Sequence, residues 1–125
     1  MTEETNKNLD ALQHILEQMK RAEQFMQGKS LVDLEDDAML RYAVVKCMES
    51  IGESAVTLSP AFKDVHSEIP WDTMIAMRQV YSQRYYSVKL PDICDFIKND
   101  FGTILPWIEQ HIEEEKKKPN FRYSV

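Results

Sequence analysis

Residues 40–58 read LRYAVVKCMESIGESAVTL, and through them Leu40, Ala43, Val44, Cys47, Ile51, Ala55 and Leu58 recur at steps of three and four. That period belongs to an α-helix with one apolar face; a half-buried strand would alternate at every residue. Ser59-Pro60 ends the pattern. Gly52 stands inside it although a glycine in a helix interior costs about 1 kcal/mol against alanine, so another helix is expected to cross closely at that point.

Working outward, residues 7–27 repeat the pattern with Leu9, Leu12, Ile15, Leu16, Met19, Ala22 and Met26 on one face and charges on the other. Gly28 supplies the stop, and Ser30 with Asp33 begins the link to the second helix. Beyond Pro60, the stretch AFKDVHSEI at 61–69 reads as a short connecting segment, and Pro70 suits the first turn of a third helix, where a missing N–H costs nothing. Trp71, Met74, Ile75 and Met77 continue that helix's buried stripe into RQVYSQRYY at 78–86. Leu90-Pro91 opens a fourth helix carrying Ile93, Phe96, Ile97, Ile104, Leu105, Ile108 and Ile112, with a kink expected at Pro106. The reading is an all-α protein: an antiparallel bundle of four long helices plus a short connecting helix between the second and third. One domain over residues 1–118 and a flexible tail at 119–125 are expected.

Composition agrees and excludes several classes. With 125 residues, 43% hydrophobic and 29% charged, the chain has one domain's length and a globular balance. Three glycines and five prolines are too few for the many turns of a small β-sandwich or barrel. A net charge of −6 argues against coating nucleic acid or an anionic membrane with the whole surface, while leaving room for a local basic site. Cys47 and Cys94 both fall in apolar helical patterns and read as buried small hydrophobes in a reducing compartment. With no signal-like N-terminus and no uncharged run of about 18 residues, a cytoplasmic protein that does not enter a membrane is expected.

The usual templates for a site are absent: there is no glycine-rich phosphate loop, no pair of histidines spaced to share a helix face and no nucleophile elbow. The acidic run Glu35-Asp36-Asp37 reads as the favourable start of a helix rather than a metal site, because adjacent carboxylates point to different sides. His14, His66 and His111 are scattered and read as surface residues, with His66 the closest to the third helix. The window 71–90 differs: Arg78, Arg84 and Lys89 face the single acid Asp72, and Tyr81, Tyr85 and Tyr86 interleave with them. Guanidinium groups can grip phosphate and phenol rings can stack on bases, which together suit single-stranded RNA; the plainer alternative is tyrosines capping the core and solvated arginines.

The segments CMESIGESA at 47–55, LSP at 58–60, IPW at 69–71 and IAMR at 75–78, with HILE at 14–17 and FMQG at 25–28, resemble the HepT-like toxins of the HEPN superfamily over about residues 8–112. The resemblance implies a metal-independent ribonuclease toxin that needs no cofactor. It also implies a homodimer with the Ile-Gly-Glu helix and the third helix at its centre, acting on tRNA or mRNA. Its implied partner is an MntA-like nucleotidyltransferase antitoxin that adds AMP to a tyrosine. The family's motif, Arg-x4-His-x-Tyr, falls on Arg78, Gln83 and Tyr85, so the implied catalytic set is Arg78, Gln83 and Tyr85, with Tyr85 as the modified residue. Arg78, Tyr81, Arg84 and Tyr86 are the implied RNA contacts.

Gln83 stands where the motif has histidine. Imidazole can take or give a proton near neutral pH and a carboxamide cannot, though it can hydrogen-bond a phosphate oxygen or a base edge. Loss of a general acid or base typically costs about 10²–10⁴ in rate. Three readings follow: a toxin-family protein with a degenerate motif, an active ribonuclease in which His66 or Tyr81 replaces the imidazole, and an interaction subunit that supports a nucleotidyltransferase without touching RNA.

Overall fold

A computed structural model describes residues 3–79 and 89–117, and among them every regular element is helical. The elements are α1 (Glu3–Met26), α2 (Leu31–Asp36), α3 (Ala38–Thr57), α4 (Pro60–Val65), α5 (Trp71–Ala76), α6 (Leu90–Asp95) and α7 (Phe101–Lys116). A 3₁₀ turn, Met77–Gln79, extends α5, and a π turn, Phe96–Asp100, joins α6 to α7. The all-α expectation holds. The tail at 119–125 lies outside the described residues.

α1 buries Leu9, Leu12, Ile15, Met19, Ala22 and Met26, and its packing on α3 is the most extensive helix contact among the described residues. Asn8 near the start of α1 meets Ser59 just past the end of α3, so the two helices run antiparallel. The Ser59 N–H donates to Asn8 Oδ1 at 3.0 Å, and Asn8 Nδ2 donates to Ser59 Oγ at 3.3 Å. Ser59 Oγ in turn accepts from the Phe62 N–H at 3.1 Å and starts α4, whose first residue is Pro60. One buried asparagine thus pins the corner between three helices.

The stretch after Gly28 is not a plain link, as expected from sequence, but a turn of helix with its own capping box. Gly28 takes φ +73, the left-handed conformation that ends α1. Asp33 N–H then donates to Ser30 Oγ at 3.3 Å and Ser30 N–H to Asp33 Oδ2 at 2.8 Å, which satisfies two otherwise unpartnered donors and lets buried Leu34 reach the core. The backbone bond from Ser30 holds the Asp33 carboxyl below the usual carboxylate range. Asp37 caps α3 by accepting from the Leu40 N–H at 3.2 Å, so the acidic run is divided between two helix ends.

The final helical run holds a feature that the sequence does not announce. Pro106 lies inside α7, but the recorded irregularity is upstream, where the Phe101 N–H bonds Phe96 O across a π turn. Pro106 and Gly102, the residue four back whose carbonyl loses its helical donor, are both exposed, so water can serve that carbonyl. The third helix is short among the described residues: α5 and its 3₁₀ turn end at Gln79, and 80–88 lie outside them. α5 packs on α3, α7 on α1 and α6 on α2, enclosing one core. Among the described residues no helix is long and apolar enough to cross a membrane.

Candidate functional site

Gly52 explains how α5 reaches α3. A Cβ at that position would lie 2.7 Å from the Met74 carbonyl oxygen, 2.8 Å from Arg78 Cβ and 2.9 Å from the Arg78 backbone nitrogen. Two of those three atoms belong to backbone, which cannot swing aside, so only glycine permits this approach. Ile51 and Ala55 are buried on either side, and Trp71, Met74 and Met77 are buried from the facing helix. The close crossing read from the sequence is present, and the residue seated on it is Arg78. The tightened turn Met77–Gln79 carries Arg78 half-buried at the end of α5. No carboxylate among the described residues pairs with its guanidinium.

The other residues of the motif window, Tyr81, Gln83, Arg84, Tyr85 and Tyr86, lie outside the described residues. Lys89 is exposed, and its backbone N–H donates to Asp92 Oδ2 at 3.3 Å to open α6. Between α5 and α6 runs a groove of about 520 Å³ floored by Ala76, Met77 and Phe96 and edged by Asp72, Asp92, Asp95 and Asp100. Its charge would repel a phosphodiester strand, so an anionic ligand meeting Arg78 is disfavoured on that side.

The histidines divide. His14 is exposed, as expected. His66 and His111 are not surface residues: both are half-buried, with ring centroids 5.0 Å apart, in a cluster built by Phe62 of α4, Trp71 of α5 and Trp107 of α7. Trp107 stacks on His111 at 5.1 Å with an interplanar angle of 7°, and the Trp71 Nε1–H donates to the His66 carbonyl at 2.9 Å. His111 Nε2 lies 3.8 Å from Glu115 Oε1. A cavity of about 140 Å³ lies between this cluster and Thr5, Asn8, Leu9 and Leu12 of α1. Sequence reading missed this meeting; the available signal was Trp107 and His111 at i,i+4, a spacing that stacks rings along a helix. The cluster meets the start of α5 through Trp71, and Arg78 lies at the far end of that helical run.

Cys47 and Cys94 are free and buried, and burial pushes the Cys47 thiol up, which suits core packing rather than chemistry. Among the described residues no group of three or more His, Cys, Asp or Glu side chains could hold a metal ion.

The sequence profile of the family described as Ribonuclease HepT-like matches residues 15–114. A protein of Methanocaldococcus jannaschii named as a gamma-glutamylcyclotransferase and candidate RNase is 30% identical over 114 residues, 91% of this chain, which spans only 51% of that relative. A candidate RNase of Caldanaerobacter subterraneus is 28% identical over 84% of this chain and 94% of its own length. The probable ribonuclease HepT of Thermococcus cleftensis is 30% identical over 76% of this chain and 86% of its own. No solved structure gives a significant match.

Proposed function

Because this chain belongs to the HepT-like ribonuclease family, we propose that it is an RNA-binding member whose cleavage site is degenerate, the toxin component of a toxin–antitoxin pair. The observation that supports this reading is the seat of Arg78: a glycine in α3 gives way so that the arginine of the family motif is held in fixed register at a helix end. A guanidinium so held can neutralise a phosphate and the charge that builds on it during attack by a 2′-hydroxyl. The proton leaving that hydroxyl needs an acceptor, and Gln83 offers none. Gln83 instead supplies hydrogen bonds to phosphate or base, Tyr81, Arg84 and Tyr86 the RNA contacts, and Tyr85 orients phosphate or receives AMP. The protein works in this reading as a cytoplasmic homodimer on tRNA or mRNA, with an MntA-like nucleotidyltransferase as its regulator.

The deciding experiment is cleavage of total tRNA by the purified protein beside its Gln83→His variant. Faster cleavage by the variant, on the order of 10²-fold or more, is expected. Equal, substantial activity of the two would overturn the degenerate-site reading. A second reading, an interaction subunit that never touches RNA, is favoured by Gln83 and by the four aspartates edging the groove beside α5. It predicts that neither protein cleaves or binds tRNA and that the chain still associates with a nucleotidyltransferase.

A further inference from the structure

The groove between α5 and α6 combines an acidic rim with an apolar floor. Asp72 of α5, Asp92 and Asp95 of α6 and Asp100 at the end of the π turn are all exposed around it, and no basic side chain among the described residues lines it. None of the four carboxylates has an ion-pair partner among the described residues. Below them lie half-buried Ala76 and the buried side chains of Met77 and Phe96, with the Phe96 ring held edge-on against Phe101 at 5.5 Å. The π turn shapes one wall, since Phe96 and Asp100 bound it and both line the groove. In an i→i+5 turn each residue advances less around the axis than in an α turn, so Asp100 stays on the face that carries Asp92, Asp95 and Phe96.

We infer that this groove docks a basic segment of a partner protein, in which lysine or arginine side chains flank an apolar residue. The cations reach the rim carboxylates and the apolar side chain rests on Ala76, Met77 and Phe96, where the unbranched methionine adjusts to its shape. Rim and floor together select this chemistry. A nucleic-acid strand is repelled by four negative charges in a chain already at −6. A bare divalent cation needs several converging oxygen ligands, and no group of three or more His, Cys, Asp or Glu side chains among the described residues could hold a metal ion. The groove serves such a partner whether or not the chain cleaves RNA, and so goes beyond the proposed function.

The test is fluorescence anisotropy of a labelled octapeptide alternating lysine and leucine, added to the full chain at about 0.1 M salt. Octapeptides alternating lysine with serine and glutamate with leucine are run beside it. The lysine–leucine peptide is expected to bind and the other two to bind far more weakly. The Asp95→Asn/Asp100→Asn double variant should weaken it roughly fivefold, and Thr73→Lys, which places a like charge on the exposed rim, should weaken it as well. Glu113→Gln/Glu114→Gln, which removes the same charge at the far end of α7, should leave it unchanged. Melting midpoints equal to the wild type's show that the variants are folded. Equal loss in the Glu113/Glu114 variant would reduce the effect to net charge, and equal binding of the lysine–serine peptide would reduce it to counter-ion collection; either overturns the docking groove. Absence of wild-type binding overturns it too, without touching the RNA reading, which stands or falls on tRNA cleavage. A wild-type dimer that dissociates in Asp95→Asn/Asp100→Asn, read by light scattering, would give the groove to a second copy and overturn the basic partner.

Discussion

At Gly52 two opposing effects of known size meet. Alanine there would gain about 1 kcal/mol of helix propensity, while a Cβ within 3.0 Å of the Met74 oxygen and the Arg78 nitrogen forces backbone apart, and overpacking of that kind typically costs about 1–3 kcal/mol. The steric term should win, so Gly52→Ala is expected to lower stability by about 1 kcal/mol or more in urea unfolding and to weaken RNA binding along with it. Unchanged or raised stability would mean that α5 withdraws from α3 without loss. The close approach was legible in the sequence, because a glycine in a strong helical pattern needs a compensating reason. Its partner was not: that Met74 and Arg78 lie on the glycine follows from how α5 folds back. Gln83 shows the converse, since its chemical incapacity is a property of the residue type and is fully legible without coordinates.

Among the elements, caps and stops followed local rules. Gly28, Ser59-Pro60 and the Ser30–Asp33 pair act over three or four residues, and each ends or starts a helix where the sequence indicated. The short helix α2 reads as a link in the sequence because six residues hold too little periodicity to declare themselves, although Ser30 and Asp33 already mark its start. The sequence points to a kink at Pro106 because proline is the visible helix breaker; the π turn Phe96–Asp100 upstream carries no such signature. Asn8 is a case that no local rule reaches. It sits in the α1 pattern as one more polar residue, yet it is buried and serves Ser59 across the molecule. Asn8→Ala would leave the Ser59 N–H without its acceptor, and a loss of about 1–3 kcal/mol is expected, read from urea midpoints. A midpoint equal to the wild type's would show that water replaces the amide at no cost.

For the whole molecule, regulation is the testable scale. AMP on Tyr85 would place a bulky anion beside Arg78 and Arg84 in sequence, where RNA phosphate is proposed to bind, so modification should compete with RNA. A nucleotidyltransferase encoded beside this chain, given Mg²⁺ and ATP, is expected to add one or more AMP masses to the wild type and none to Tyr85→Phe in intact-mass spectra. Equal addition to both, or to neither, would remove Tyr85 from that role. The amino-acid sequence by itself determined the all-α class, the apolar faces of α1 and α3, most helix ends and the family, because each of these is written in spacings of a few residues or in residue identity. The tertiary structure alone decided that His66 and His111 share an aromatic cluster at the start of α5, that Arg78 rests on Gly52 at its end, and that Met39 and Tyr42 of α3 are exposed among the described residues. Those facts depend on which surfaces remain after the helices have packed, and burial is a property of the assembled molecule rather than of any segment within it.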